Sequence, residues 1–174
     1  MSDLVSFHCP AYQELAYRQQ LLAQPETMAY NRGYHLKMTN YDNETGCIDF
    51  TEAYWPSWYE RWLGEGAKNY YAYIMSAKDH KPVGEVALRA LKEENVYCVN
   101  VVIEAAYRHG GFGEAATRLL VDMGFRQLNA EKLIDEFPPT RTITERLFQK
   151  IGFVRVSETR VELSKQEYLE KRQE

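Results

Sequence analysis

Arg108-His109-Gly110-Gly111-Phe112-Gly113 is the segment of this chain with the clearest chemical meaning. It follows a β-rich run and leads into a helical pattern from Gly113 to Leu128. Its backbone N–H groups therefore stand at a helix N-terminus, where they lack carbonyl partners and carry a partial positive charge. Glycines at such a place let the chain turn tightly and approach a ligand without Cβ atoms in the way. Those are the requirements for holding a phosphate. Arg108 adds a full charge, and the small Ala115 and Ala116 allow the helix to lie close to a sheet. No Gly-Lys-Ser/Thr follows, so this is not a Walker loop, and the glycine spacing departs from G-x-G-x-x-G.

Other reactive residue types are scattered. Histidines 8, 35, 80 and 109 and cysteines 9, 47 and 98 show no metal-ligand spacing, so no metal is expected. Cys98, alone in a strand pattern, reads as core. Thirteen tyrosines and three tryptophans are many for 174 residues, and of these only Tyr168 lies beyond residue 107. The two halves of the chain therefore differ in task. Tyr30, Tyr34, Tyr41 and Trp55 are candidates to wall a binding pocket, with Asp42, Glu44, Asp49 and Glu52 nearby to attract a cation. Trp58 and Trp62 are four apart, the spacing of one helix face, and pack that helix on a sheet.

The elements that must position these groups follow from periodicity and punctuation. Leu4 to Phe7 reads as a short strand. Pro10 to Gln24 reads as a helix that Pro25 ends, and Tyr30 to Phe50 as irregular chain. A second helix carries Trp55, Trp58, Tyr59 and Trp62 and stops at Gly64 and Gly66. Asn69 to Met75, Val83 to Leu91 and Val96 to Ile103 are β-rich runs joined by short polar turns, which is an antiparallel meander. After the glycine-rich helix come a strand at Lys132 to Phe137, a helix at Thr142 to Ile151, and closing strands at Phe153 to Ser157 and Thr159 to Leu163. The charged tail from Ser164 reads as a frayed helix. The class is α+β (mixed α/β), one domain over 1–174 with its core at about 4–163.

Composition narrows the partners. The length suits one domain with a full core. A net charge of -4 speaks against a broad nucleic-acid surface. No apolar run approaches a membrane helix and no secretory leader is visible, so the expectation is a cytoplasmic protein that engages no membrane. A homodimer is the oligomer to test first, two-fold dimers being the commonest.

Two motifs in register carry a resemblance. Arg108, Gly111 and Gly113 fall on the fixed positions of Arg/Gln-x-x-Gly-x-Gly/Ala, and the chain resembles the GNAT superfamily of N-acetyltransferases. Downstream, Glu145-Arg146-Leu147-Phe148-Gln149-Lys150-Ile151-Gly152-Phe153 is similar to that family's second signature, a helix ending in Lys-x-Gly-Phe. The likeness spans about residues 4–163 and is strongest from Val83 onward.

The resemblance implies a mostly antiparallel sheet, flanked by helices and splayed at the central strand, with acetyl-CoA as co-substrate. The pantetheine arm would lie along Val101, Val102 and Ile103, the pyrophosphate on His109, Gly110, Gly111, Phe112 and Gly113, and Phe148 beside the thioester. The acceptor would be a primary amine on a protein N-terminus, a lysine or a small molecule, attacking directly in a ternary complex. Departures from the family pattern concern proton transfer. Tyr97 stands where some members carry a glutamate, Phe148 where many carry a tyrosine, and Arg141 where an asparagine is common. Glu85 and Glu104 are then the candidate bases. Two other readings stay open at this point: a non-catalytic acyl-CoA sensor on the same fold, and an interaction domain with a vestigial loop.

Overall fold

The computed structural model describes residues 4–172. The outermost residues of the expected domain, 1–3 and 173–174, lie outside the described ones. Strand β1 (Val5–His8) leads through a 3-10 turn into α1 (Leu15–Leu22). Pro25 ends that helix and also opens α2 (Pro25–Met28), a short helix that the sequence reading did not foresee. A proline is at home at a first helical position, where its missing N–H costs nothing. After irregular chain come α3 (Trp55–Leu63) and the meander β2 (Tyr70–Ser76), β3 (Pro82–Ala90) and β4 (Val96–Ile103). Then follow α4 (Phe112–Arg126), β5 (Lys132–Glu136), α5 (Thr142–Ile151), β6 (Val154–Arg155), β7 (Arg160–Ser164) and α6 (Lys165–Glu170).

The seven strands form one sheet in the order β1-β2-β3-β4-β5-β7-β6. Every neighbouring pair is antiparallel except β4 with β5. That parallel pairing is short. It joins Val96 to Lys132, Tyr97 to Leu133 and Cys98 to Ile134, and goes no further. On its other side β4 stays paired with β3 along its length, from Tyr97 with Ala90 to Ile103 with Gly84. The two middle strands therefore part after Cys98, and the β5-facing backbone edge of β4 from Val99 onward has no sheet partner among the described residues. Backbone polar groups rarely stay buried and unpaired, so an open edge inside a sheet marks a place for a ligand or water.

The sheet has a different core on each face. On one, Val86, Leu88, Val99 and Leu133 pack against Ala116, Leu120, Val121 and Phe125 of α4. Full burial of such side chains is worth about 1.5–3 kcal/mol each. On the other face, Tyr71, Tyr73, Ala87 and Val102 pack against Leu15, Leu21 and Leu22 of α1 and Trp58 of α3. The expected packing of the tryptophan helix is present, with Trp58 over Tyr71 at 4.6 Å and stacked on Trp62 at 6.0 Å.

Over its described residues, 164–172, the tail is not frayed. The Ser164 hydroxyl accepts from Glu167 N–H while the Glu167 carboxylate accepts from Ser164 N–H, a reciprocal cap at the start of α6. Tyr168 is buried against Phe125 at 4.6 Å, and its hydroxyl donates to Asp122. The tail thereby completes the α4 side of the core.

Candidate active site

A cavity of about 530 Å³ opens where β4 and β5 part. Its walls are Asn100 to Ile103 of β4, Asp135 to Phe137 at the end of β5, Gly113 and Thr117 of α4, and Ile143, Thr144, Leu147 and Phe148 of α5. Arg108, Arg141, Tyr30, Asn31, Tyr34 and Leu36 complete it. It thus brings together Val101, Val102, Ile103, Arg108, Gly113 and Phe148 with Tyr30 and Tyr34, residues from both halves of the chain.

The glycine-rich turn forms one end. Gly111 is the N-cap of α4 in the left-handed region, φ 81°, which glycine adopts without strain. The first α4 bond back to this turn runs from Ala115 N–H to Gly111 O at 3.1 Å, which leaves the preceding N–H groups to a ligand or water. A Cβ added at Gly113 would project beside Ile103 at 3.7 Å, an ordinary contact, so the backbone there is uncovered on the cavity side. His109 also has positive φ, 66°. His109, Gly110, Gly111 and Phe112 shape this end without forming the cavity wall, and Phe112 packs edge-on against Tyr107. Arg108 donates to the carbonyls of Glu26 at 3.1 Å and Thr27 at 2.7 Å, which ties the turn to α2. A helix N-terminus that no described side chain caps, a glycine with only an ordinary contact beside it and an open strand edge together fit a phosphate-bearing, amide-bearing molecule such as acetyl-CoA.

The aromatic end is built from the loop after α2. Tyr30 is half-buried, and burial pushes its hydroxyl up to about 12. The Arg141 guanidinium lies 5.5 Å from the Tyr30 ring and 5.2 Å from the exposed Tyr34 ring, and donates to the Tyr30 carbonyl. Tyr41 and Trp55 stand outside the wall. The Tyr41 hydroxyl donates to the Asn31 carbonyl and so braces the loop. Trp55 is buried, with its indole N–H on the Phe50 carbonyl at 2.9 Å.

The two candidate bases also stand outside the wall. Glu85 is 2 % exposed on the α1 side of β3, and its carboxylate accepts from Arg18 and from the Tyr71 hydroxyl. Arg18 is itself boxed by Phe50, Trp58 and Tyr71, with ring centroids at 5.0, 4.5 and 5.3 Å. Glu104 accepts from Tyr17 at 3.2 Å and Gln24 at 3.0 Å, a knot between the end of β4 and the first helices. Of the two β5 acids on the cavity wall, Asp135 is the more buried, while Glu136 is exposed and pairs with Arg160. Burial raises the pKa of Asp135 to about 6. The acid pair Asp135-Glu136 that closes the apolar run of β5 beside the central strand is the sequence signal for it. Cys98 is half-buried, and burial with the nearby Asp135 pushes its thiol up to about 11, which keeps it protonated. No group of His, Cys, Asp and Glu among the described residues is arranged to hold a metal ion.

Residues 10–154 match the family model for the acetyltransferase (GNAT) domain, most of the chain. The chain belongs to the GNAT acetyltransferase family. It is accordingly an acyltransferase, and acetyl-CoA is the co-substrate that this family uses. Solved structures of GNAT proteins share its fold over nearly their full length. Spermidine N-acetyltransferase from Vibrio cholerae, in complex with CoA and spermine, matches with a TM-score of 0.76 at 13% identity, covering 97% of this chain and 99% of that one. A GNAT-family acetyltransferase from Bacillus anthracis matches with a TM-score of 0.70 at 15% identity, covering 94% and 96%. No curated protein matches by sequence. Among the described residues no helix is long and apolar enough to cross a membrane.

Proposed function

We propose that this GNAT domain transfers an acetyl group from acetyl-CoA to a primary amine bound at the aromatic end of the same cavity. The observation that carries the reading is the continuity of that cavity, from the uncovered N-terminus of α4, along the open edge of β4, to Tyr30 and Tyr34. One bound substrate at each end gives the proximity from which much of a bimolecular rate gain comes.

The reaction forms a C–N bond between amine and acetyl carbon and breaks the C–S bond, releasing CoA. Charge develops on the carbonyl oxygen, and a backbone N–H on the unpaired stretch of β4 is the donor for it. Such a fixed donor is typically worth about 2.7–4 kcal/mol. An alkyl ammonium has a pKa of about 10 and must lose a proton before it attacks. Glu85 and Glu104 are committed to neighbours outside the cavity, so this reading gives that proton to Asp135. A base whose pKa lies near working pH is both present as carboxylate and strong enough to act. Phe148 has no proton to give, so the departing thiolate takes its proton from water or from the acceptor by way of Asp135.

The test is calorimetric titration with acetyl-CoA, followed by thiol release in the presence of amines. Saturable one-to-one binding followed by acceptor-dependent thiol release is expected. A folded protein that does not bind acetyl-CoA overturns the reading.

A further inference from the structure

We propose that Arg141 reads an anionic group on the acceptor, so that the amine acetylated here belongs to a molecule that also carries a carboxylate. This rests on the acetyltransferase reading above and names its substrate class.

Most charged groups near the aromatic end already have partners, and Asp135 on the same wall feels the charge of Arg141 without forming an ion pair with it. Arg108 is spent on the carbonyls of Glu26 and Thr27. Glu136 pairs with Arg160 at 3.0 Å. The acids expected to attract a cation are elsewhere, since none of Asp42, Glu44, Asp49 and Glu52 lies on the cavity wall. Asp42 is occupied with the N–H groups of Glu44 at 2.8 Å and Thr45 at 3.2 Å. Arg141 is different. It lies on the wall, it donates to one backbone carbonyl, and it makes no ion pair among the described residues.

Its geometry is that of a prepared receptor. Tyr30 and Tyr34 lie against the guanidinium, and the Tyr30 carbonyl fixes one edge of it. A guanidinium held in this way offers its remaining N–H groups as a rigid fork, which matches a carboxylate in two parallel hydrogen bonds. A polyamine bound at this end would instead set its ammonium groups against a like charge. The phosphates of acetyl-CoA are the other source of an anion, and the experiment separates the two.

Acceptor-dependent thiol release is measured with amino acids and short peptides, each beside its carboxamide, and with spermidine. The expected result is turnover of carboxylate-bearing acceptors, with KM about tenfold to a hundredfold higher for the matched amides, the worth of one charge-assisted contact. Arg141→Gln should raise KM for the carboxylates by the same factor and leave the amides unchanged, with kcat nearly constant. Arg141→Lys should restore part of the preference. Thermal melting of both variants shows whether α5 is intact, and Tyr34→Leu supplies a second route to the same clamp. Preference for spermidine, equal use of acids and amides, or failure of the whole panel with acetyl-CoA bound overturns the proposal. So does an Arg141→Gln protein whose acetyl-CoA affinity falls while its acceptor KM holds. Failure to bind acetyl-CoA at all sinks the acetyltransferase reading instead.

Discussion

Among the described arginines that lie against aromatic rings, Arg18 and Arg141 each meet more than one ring, and these two end in opposite circumstances. Arg18, on α1, sits among Phe50, Trp58 and Tyr71, and its charge is closed off by the buried Glu85. Its Nε–H has no hydrogen-bond acceptor among the described residues. Arg141, at the start of α5, lies against Tyr30 and Tyr34 and makes no ion pair among the described residues, though its charge reaches Asp135 on the same wall. The contact type is common to both, and the counter-charge differs. Where the protein supplies the anion, the aromatic box is part of the core; where it does not, the box faces the cavity.

The largest effect should come from opening the closed box. Glu85→Ala leaves Arg18 buried without its counter-ion, and breaking such a pair costs about 3–5 kcal/mol. Denaturant unfolding should show that loss, with activity per folded molecule largely kept when substrates are saturating. If stability holds and turnover collapses, Glu85 is the base after all and the contrast between the two arginines is misdrawn. Trp58→Leu is a milder version, removing one face of the box at a cost in stability alone.

Next in size is the phosphate end. The two loop glycines are not equivalent. Gly111 has φ 81°, so a valine there strains the backbone whatever binds. Gly113 has room for a Cβ beside Ile103, so Gly113→Val should fold and lower acetyl-CoA affinity by on the order of a hundredfold, roughly the worth of two good hydrogen bonds. Calorimetry checks it. Wild-type affinity in the folded variant would move the pyrophosphate away from this turn.

The glycine-rich turn, the strand meander and the tryptophan helix were legible because each is a local pattern: a spacing, a period, a breaker. The closed arginine box was not, because Arg18 and Glu85 are 67 residues apart and only the sheet brings α1 over β3. A lone arginine on a helix and a lone glutamate on a strand each look solvated. Arg141 showed in the sequence as a departure from the family's asparagine, but its two tyrosines lie more than a hundred residues earlier. The tail was misread for another reason. Its Ser164-x-x-Glu167 cap is a sequence signature, but the charged residues around it outweighed the buried Tyr168.

The acid limb of activity tests the floor of the cavity between the two ends. With Asp135 as the base, kcat/KM rises with pH until the carboxylate forms and breaks at about 6. Asp135→Asn should remove that break and lower the plateau by about a hundredfold, the low end for general base catalysis. Stability runs the other way. The folded pKa lies above the ordinary value of 3.8, so the folded form holds the proton more tightly. This group's contribution is therefore full below 3.8 and declines as pH rises to about 6, and the asparagine variant should lack that decline. A break that survives in Asp135→Asn assigns the proton to another group.

The smallest expected effect separates the two boxes most cleanly. Tyr34 is 46% exposed, so Tyr34→Leu removes an aromatic face from Arg141 without touching either core. An exposed cation–π contact is worth about 0.5–1 kcal/mol, or roughly a two- to fivefold rise in acceptor KM. Melting temperature and acetyl-CoA affinity should not move, in contrast to Trp58→Leu, where melting temperature should fall. A Tyr34 variant that melts early would mean that the open arginine box, like the closed one, is holding the fold together.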